Sequence, residues 1–263
     1  MKSSIRACCI AMVLVWMSFS LNANSTEQAP AAPKSGAAYA SAEIRALQAD
    51  DGANPGMLWV ANGETLWSEK TVAEAKSCAN CHGAATTAMK GVATRYPQID
   101  LATKSITNLE GRINQCRVKH QGAAELAYES AALLGLTAYV AFQSRGMPRQ
   151  ITIADSNREV FDRGVALYRQ RMGQIHLACG HCHEQNTDKT LLAEKISEGQ
   201  SNGYPIYRLE WQGVGSLHRR FRSCQVGVRS EPFAPGSDQY LALELYLAWR
   251  GGALPIETPA VRR

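Results

Sequence analysis

Cys78-Ala-Asn-Cys81-His82 and Cys179-Gly-His-Cys182-His183 are the two stretches whose reading decides the fold of this chain. Two thiols at that spacing can add across the two vinyl groups of a porphyrin, and the adjacent histidine is then placed to ligate the iron. Two copies in a matching context predict two covalently attached haems, one on Cys78 and Cys81 with His82, the other on Cys179 and Cys182 with His183. Each copy is followed by one further isolated cysteine, Cys116 or Cys224, so a thiolate is available to each iron.

Working outward, the landmarks around one copy recur in order around the other. Gly63-Glu-Thr-Leu66-Trp67 begins fifteen residues before Cys78, and Gly164-Val-Ala-Leu167-Tyr168 begins fifteen before Cys179. Each histidine is followed by a Tyr-Pro pair (Tyr96-Pro97, Tyr204-Pro205), then by an arginine four residues ahead of the lone cysteine (Arg112 and Cys116, Arg220 and Cys224). Each half then runs through an apolar stretch to a proline, Leu136-Thr-Ala-Tyr139 onward to Pro148 and Leu243-Glu-Leu-Tyr246 onward to Pro255. Apolar spacings of three and four in Ala131 to Phe142 and Tyr240 to Trp249 predict an amphipathic helix closing each half, with the Leu-aromatic pair on an N-terminal helix packed across it. Strand signals are scarce. The expected fold is mostly α with long loops: two tandem cytochrome c-like domains related by internal duplication, residues 44–150 and 151–263, each of ordinary domain size.

The N-terminus predicts export. Lys2 and Arg6 precede an uncharged apolar run from Ala7 to Leu21 and then small and polar residues, the pattern of a secretory signal peptide over residues 1–25, cleaved after Ala23 or Ser25. An Ala/Pro-rich segment, 26–43, follows. No later stretch approaches the ~18 apolar residues that a membrane span requires, so a periplasmic protein without a membrane span is expected. Of the formal net charge of +5, two charges, Lys2 and Arg6, lie in the leader, which leaves +3. The basic residues are not interleaved with aromatics, which gives nucleic-acid binding no support.

Of the eight cysteines, Cys8 and Cys9 fall in the leader and four serve the pentapeptides, which leaves Cys116 and Cys224. Two spare cysteines in an oxidising compartment ordinarily form a disulfide. Equivalent positions of a repeat, however, seldom exist merely to bond one another, so each is assigned to its own half. Met147, Met89 and Met172, and His120, His176, His181 and His218, are other potential iron ligands, but none recurs at an equivalent place; Leu254 stands where Met147 would repeat. A thiolate ligand donates electron density and lowers a haem potential. Around Cys224, Arg219, Arg220, Arg222 and Arg229 form either a solvated basic face or a site that captures oxyanions and favours the nucleophilic thiolate.

The second pentapeptide, the Arg220-x-x-x-Cys224-Gln225 segment and the terminal Ala248-Trp249-Arg250-Gly251 stretch resemble the SoxA family, subunits of the periplasmic SoxAX cytochrome complex of sulfur-oxidising bacteria with L-cysteine S-thiosulfotransferase activity. The resemblance covers nearly the whole chain after the leader and, with both pentapeptides kept, points to the dihaem kind. It implies His82 and Cys116 as the axial pair of the first haem and His183 and Cys224 as that of the second. It further implies Cys224 as the catalytic cysteine, found as a persulfide, with Arg220 holding the substrate and Arg112 a relic of duplication. The implied reaction joins thiosulfate to a cysteine of a SoxYZ-like carrier protein. Its electrons leave through a SoxX-like monohaem cytochrome, the heterodimer partner, toward a soluble cytochrome c. Three rivals are a plain dihaem electron-transfer protein, a carrier-free thiosulfate dehydrogenase forming tetrathionate, and a zinc module using both Cys-x-x-Cys pairs.

Overall fold

The computed structural model describes residues 32–71 and 76–263. The leader read over 1–25 and the start of the 26–43 segment lie outside the described residues. The helices start where the sequence offers side-chain oxygens to unpaired backbone N–H groups: Ser41, Asn108, Ser130, Ser216 and Ser237 each accept from the N–H three residues on. In chain order, the described residues form α1 (Ala42–Ala49), α2 (Met57–Ser68), α3 (Cys78–His82), α4 (Ala85–Ala88), α5 (Leu109–Gln121), α6 (Ala131–Phe142), α7 (Asp155–Arg169), α8 (Cys179–His183), α9 (Leu217–Gly227) and α10 (Asp238–Arg250). The mostly helical expectation holds.

Each half is organised by one helix crossing, α2 on α6 and α7 on α10. The repeated glycines explain it. A Cβ on Gly63 would lie 2.0 Å from the Gly135 carbonyl oxygen, and one on Gly164 would lie 2.2 Å from that of Ala242. Only hydrogen at these positions lets the helices touch backbone to backbone. One turn later the repeated aromatics close the contact, Trp67 on Tyr139 at 6.1 Å and Tyr168 on Tyr246 at 5.1 Å between ring centroids. Trp67 and Tyr168 are core residues as well as landmarks.

The closing helices form where the spacing predicts, but α6 is not amphipathic: every residue from Leu133 to Ala141 is buried. Its outer face is covered by the second half, since Thr137 and Ala141 line a shared cavity with Ser201, Tyr204, Leu217 and Glu244. The halves also pair along their equivalent prolines. Pro148 bridges Pro255, Ile256 N–H donates to Met147 O (3.0 Å), and Gly146 N–H donates to Ile256 O (2.8 Å). Lys34 and Tyr39, from the Ala/Pro-rich segment, both hydrogen-bond Glu198.

Three small sheets join the helices: β1 (Gln98–Ile99) with β2 (Ile106–Thr107), β3 (Thr190–Leu191) with β4 (Glu194–Lys195), and β5 (Ile206–Arg208) between β6 (Gly213–Gly215) and β7 (Ala260–Arg262). In the last, β5 runs antiparallel to β6 and parallel to β7, with Arg208 opposite both Gly213 and Arg262. That sheet carries Arg208 to the site described next.

Candidate functional site

Each pentapeptide forms one helical turn, α3 or α8, and positions i, i+3 and i+4 of a turn share a face. Both cysteines and the histidine are therefore presented together. The residue between the cysteines sets the turn. Asn80 Oδ1 accepts from Ser77 N–H (2.9 Å) while Ser77 Oγ accepts from Asn80 N–H (3.1 Å). In α8 the ring of His181 takes the part of the asparagine, with Nδ1 accepting from Ala178 N–H at 2.9 Å. His181 is a helix cap and leaves the set of candidate ligands.

The ring of His183 is fixed by its neighbours. Its Nδ1 lies 2.7 Å from the Ser197 carbonyl. A carbonyl only accepts, so Nδ1 carries the proton and Nε2 keeps a free lone pair, the tautomer that a metal requires. Gly199, at φ +72, lets its loop press on the ring; a Cβ there would lie 2.8 Å from His183 Cγ. His82 is exposed and is flanked by Trp67, 5.7 Å away between centroids, whose indole N–H bonds Gly83 O at 3.0 Å.

Cys116 on α5 and Cys224 on α9 are half-buried, and none of the six described cysteines is paired in a disulfide. Each lone cysteine stands beside the pentapeptide of its own half, Cys116 close enough for its charge to act on Cys78, and Cys224 close enough to act on Cys179 and Cys182. The structure thus sets aside a disulfide between the two. Burial pushes the Cys179 thiol up to about 12 and raises Cys78 and Cys182. Cys224 goes the other way: burial raises it, but the Arg220 guanidinium, with the Arg208 charge behind it, holds it down at about 7.

The arginines divide sharply. Arg220 feels Cys224 as its strongest neighbour, and its nearest carboxylate, Glu210, is 4.0 Å away. Arg208 is 6% exposed, bonds Glu210 through Nε (2.8 Å) and reaches Glu194 at 3.2 Å, while its charge acts on Cys224. Arg219 lies over the Trp211 ring at 4.4 Å, whereas Arg222 and Arg229 are exposed. Arg112, the counterpart of Arg220, is committed to Asp100 (3.1 Å) and Gln115 (3.2 Å). Arg208 was not singled out in the sequence; the Tyr-Pro landmark four residues before it was the available signal.

The remaining candidates are placed elsewhere. His218 is buried, with Nδ1 accepting from Gly236 N–H (3.0 Å) and Nε2 facing Glu244 at 3.1 Å. His120 and His176 are exposed. Met147 lies in the junction with its methyl against Gly91, Met89 packs in the first core, and Met172 contacts Gln225. Two thiols, one tautomerically fixed imidazole and a facing thiolate fit a covalently attached haem.

Comparison with known proteins agrees. Residues 62–149 match the family model SoxA/TsdA, cytochrome c domain, which assigns haem c to the chain. The L-cysteine S-thiosulfotransferase subunit SoxA of Pseudaminobacter salicylatoxidans is 41% identical over 230 residues, 87% of this chain and 80% of that protein. The same subunit of Rhodovulum sulfidophilum is 38% identical over 229 residues, again 87% and 80%. The crystal structure of SoxXA from P. pantotrophus contains a chain matching with TM-score 0.85 and 32% identity over 88% of this chain and 87% of that one. Pentapeptides, fold and relatives converge: the chain belongs to the SoxA family of cytochrome c proteins.

Proposed function

We propose that this protein is an exported, periplasmic dihaem L-cysteine S-thiosulfotransferase subunit, in which Cys224 is the reacting sulfur and Arg220 binds the substrate. The observation that carries the reading is the contrast between the two lone cysteines. Both stand by a pentapeptide, but Arg220 keeps its charge on Cys224, with Arg208 behind it, and holds that thiol at about 7, while Arg112 beside Cys116 is spent on Asp100. Two domains, 44–150 and 151–263, related by duplication, account for the matched helix crossings and for the equivalent glycines, aromatics and prolines. Among the described residues no helix is long and apolar enough to cross a membrane.

Haem c supplies reversible one-electron chemistry when bound. Cys78 and Cys81 would hold one, with His82 and Cys116 on its iron, and Cys179 and Cys182 the other, with His183 and Cys224 on its iron. Thiosulfate binds by its sulfonate oxygens to the Arg220 fork, with the Arg208 charge behind it, so its outer sulfur is turned to Cys224. Overall, one carrier thiol and one thiosulfate give a cysteine S-thiosulfonate, one proton and two electrons. The new bond joins the carrier sulfur to the outer sulfur of thiosulfate. Cys224 supplies the intermediate partner: its thiolate, or the persulfide that the family resemblance implies, bonds the outer sulfur as the pair gives up two electrons, and the carrier thiolate then attacks that outer sulfur and breaks the new bond, releasing the Cys224 thiolate or persulfide. The proton goes to solvent, and the two electrons go to a soluble cytochrome c. A SoxX-like monohaem cytochrome is the expected partner and a SoxYZ-like protein the carrier.

The test is conjugation of thiosulfate to the carrier, read by carrier mass and cytochrome c reduction. Cys224→Ser is expected to lose at least about 10²-fold in rate with both haems retained. Retained conjugation in that variant would leave Cys224 as an iron ligand only, no conjugation by the parent would leave an electron-transfer protein, and equal cytochrome c reduction without carrier would leave the tetrathionate-forming dehydrogenase.

A further inference from the structure

The halves meet around a cavity of about 40 Å³ lined by Glu110, Thr137 and Arg149 from the first and Ser201, Tyr204 and Glu244 from the second. No step proposed above uses it. Thr137 and Ser201 are 1% and 2% exposed, and their hydroxyls, like Arg149 Nε, have no protein partner. The guanidinium is otherwise held, one terminal N–H donating to Ser201 O at 2.9 Å. Buried polar groups are bonded in the great majority of folded proteins, so three orphans around one space are informative.

The lining also selects the occupant. An oxyanion would meet the carboxyls of Glu110 and Glu244, and a bare cation would meet Arg149. Water both donates and accepts, and so can serve two hydroxyls, an N–H and two carboxyls at once. A buried water needs roughly 10–15 Å³ of such space, so more than one fits. The carboxyls are suited to it. Burial, then the charge of Glu244 on α10, push Glu110 on α5 up to about 7, with His218 on α9 opposing and Glu129 adding. His218 turns Nε2 to within 3.1 Å of Glu244 while Nδ1 accepts from Gly236 N–H.

We propose that this cavity is a buried water site, in which about two or three ordered waters bridge Thr137 Oγ1, Ser201 Oγ and Arg149 Nε to Glu110 and Glu244 and so join the two halves. Tyr96 and Tyr204 also line the cavity. Each lies within electrostatic reach of the arginine and lone cysteine of its own half, Tyr96 of Arg112 and Cys116, Tyr204 of Arg220 and Cys224. The waters therefore occupy the ground between the two cysteine sites.

The test is a crystal structure of the haem-loaded chain at a resolution that shows waters, together with thermal unfolding of Thr137→Val, which removes a hydroxyl at nearly constant volume. The expected result is density within hydrogen-bond distance of all three groups, and a Tm about 2–4 °C lower in the variant because a bound water loses its partner. A cavity without density, or an unchanged or raised Tm, would overturn the proposal, since a dry cavity gains from losing an orphaned hydroxyl. Ser201→Ala reads the same two outcomes should Thr137→Val not accumulate. Neither readout depends on sulfur transfer.

Discussion

Arg220 and Arg112 occupy the same place ahead of their cysteines, yet their partners give them different work. Arg220 keeps its fork near Cys224, 4.0 Å from Glu210, whereas Arg112 is bonded to Asp100 and Gln115. Replacing a planar fork by a point charge at an oxyanion site loses paired hydrogen bonds, each worth about 1.5–3 kcal/mol to a charged group. Arg220→Lys is therefore expected to lower kcat/KM for thiosulfate about tenfold to a hundredfold, and Arg112→Ala to leave it within about twofold; steady-state cytochrome c reduction measures both. Equal losses in the two variants would contradict the assignment. The meeting of Arg220, Cys224 and the second pentapeptide was legible in the sequence because a pentapeptide is a local device and an arginine one turn before a cysteine shares its helix face. Arg208 was not legible. It reaches Cys224 only because β5 pairs with β6 and β7, and its partners Glu194 and Glu210 come from β4 and from the turn between β5 and β6.

Among elements, the helix crossings were readable and the sheets were not. Gly63 and Gly164 stood out as repeated letters, and the structure gives them a reason, carbonyl oxygens 2.0 and 2.2 Å from where a Cβ would sit. A methyl group there forces backbone apart, at a cost of about 1–3 kcal/mol or more. Gly63→Ala and Gly164→Ala should each lower stability by at least that amount in denaturant unfolding of the haem-loaded protein, with the outward-facing Gly227→Ala as a neutral control. Strands of two or three residues are too short to show a period of two, so β1 to β7 left no pattern to read. The period of α6 promised a solvent face that does not exist, since a single half carries no record of what the other half covers.

Across the whole molecule the junction between halves rests on groups far apart in sequence, and Glu110 gives it a dependence on pH. Its folded pKa of about 7 exceeds the ordinary 4.5, so folding favours the neutral acid. Stability from this group is complete below about 4.5 and is lost as pH rises toward 7 and beyond. Glu110→Gln, permanently neutral, should gain in Tm relative to the parent between pH 5 and 8 by thermal unfolding, with no such gain at pH 4. An advantage independent of pH would contradict that origin. The proposal that one half serves structure and the other chemistry comes down to what is attached to six cysteines. Peptide-resolved mass spectrometry of the exported protein after exposure to thiosulfate tests it most directly. The account predicts haem on the Cys78–Cys81 and Cys179–Cys182 peptides and additional sulfur on the Cys224 peptide. Haem on both, with Cys224 unmodified, would contradict it and leave a carrier of electrons alone.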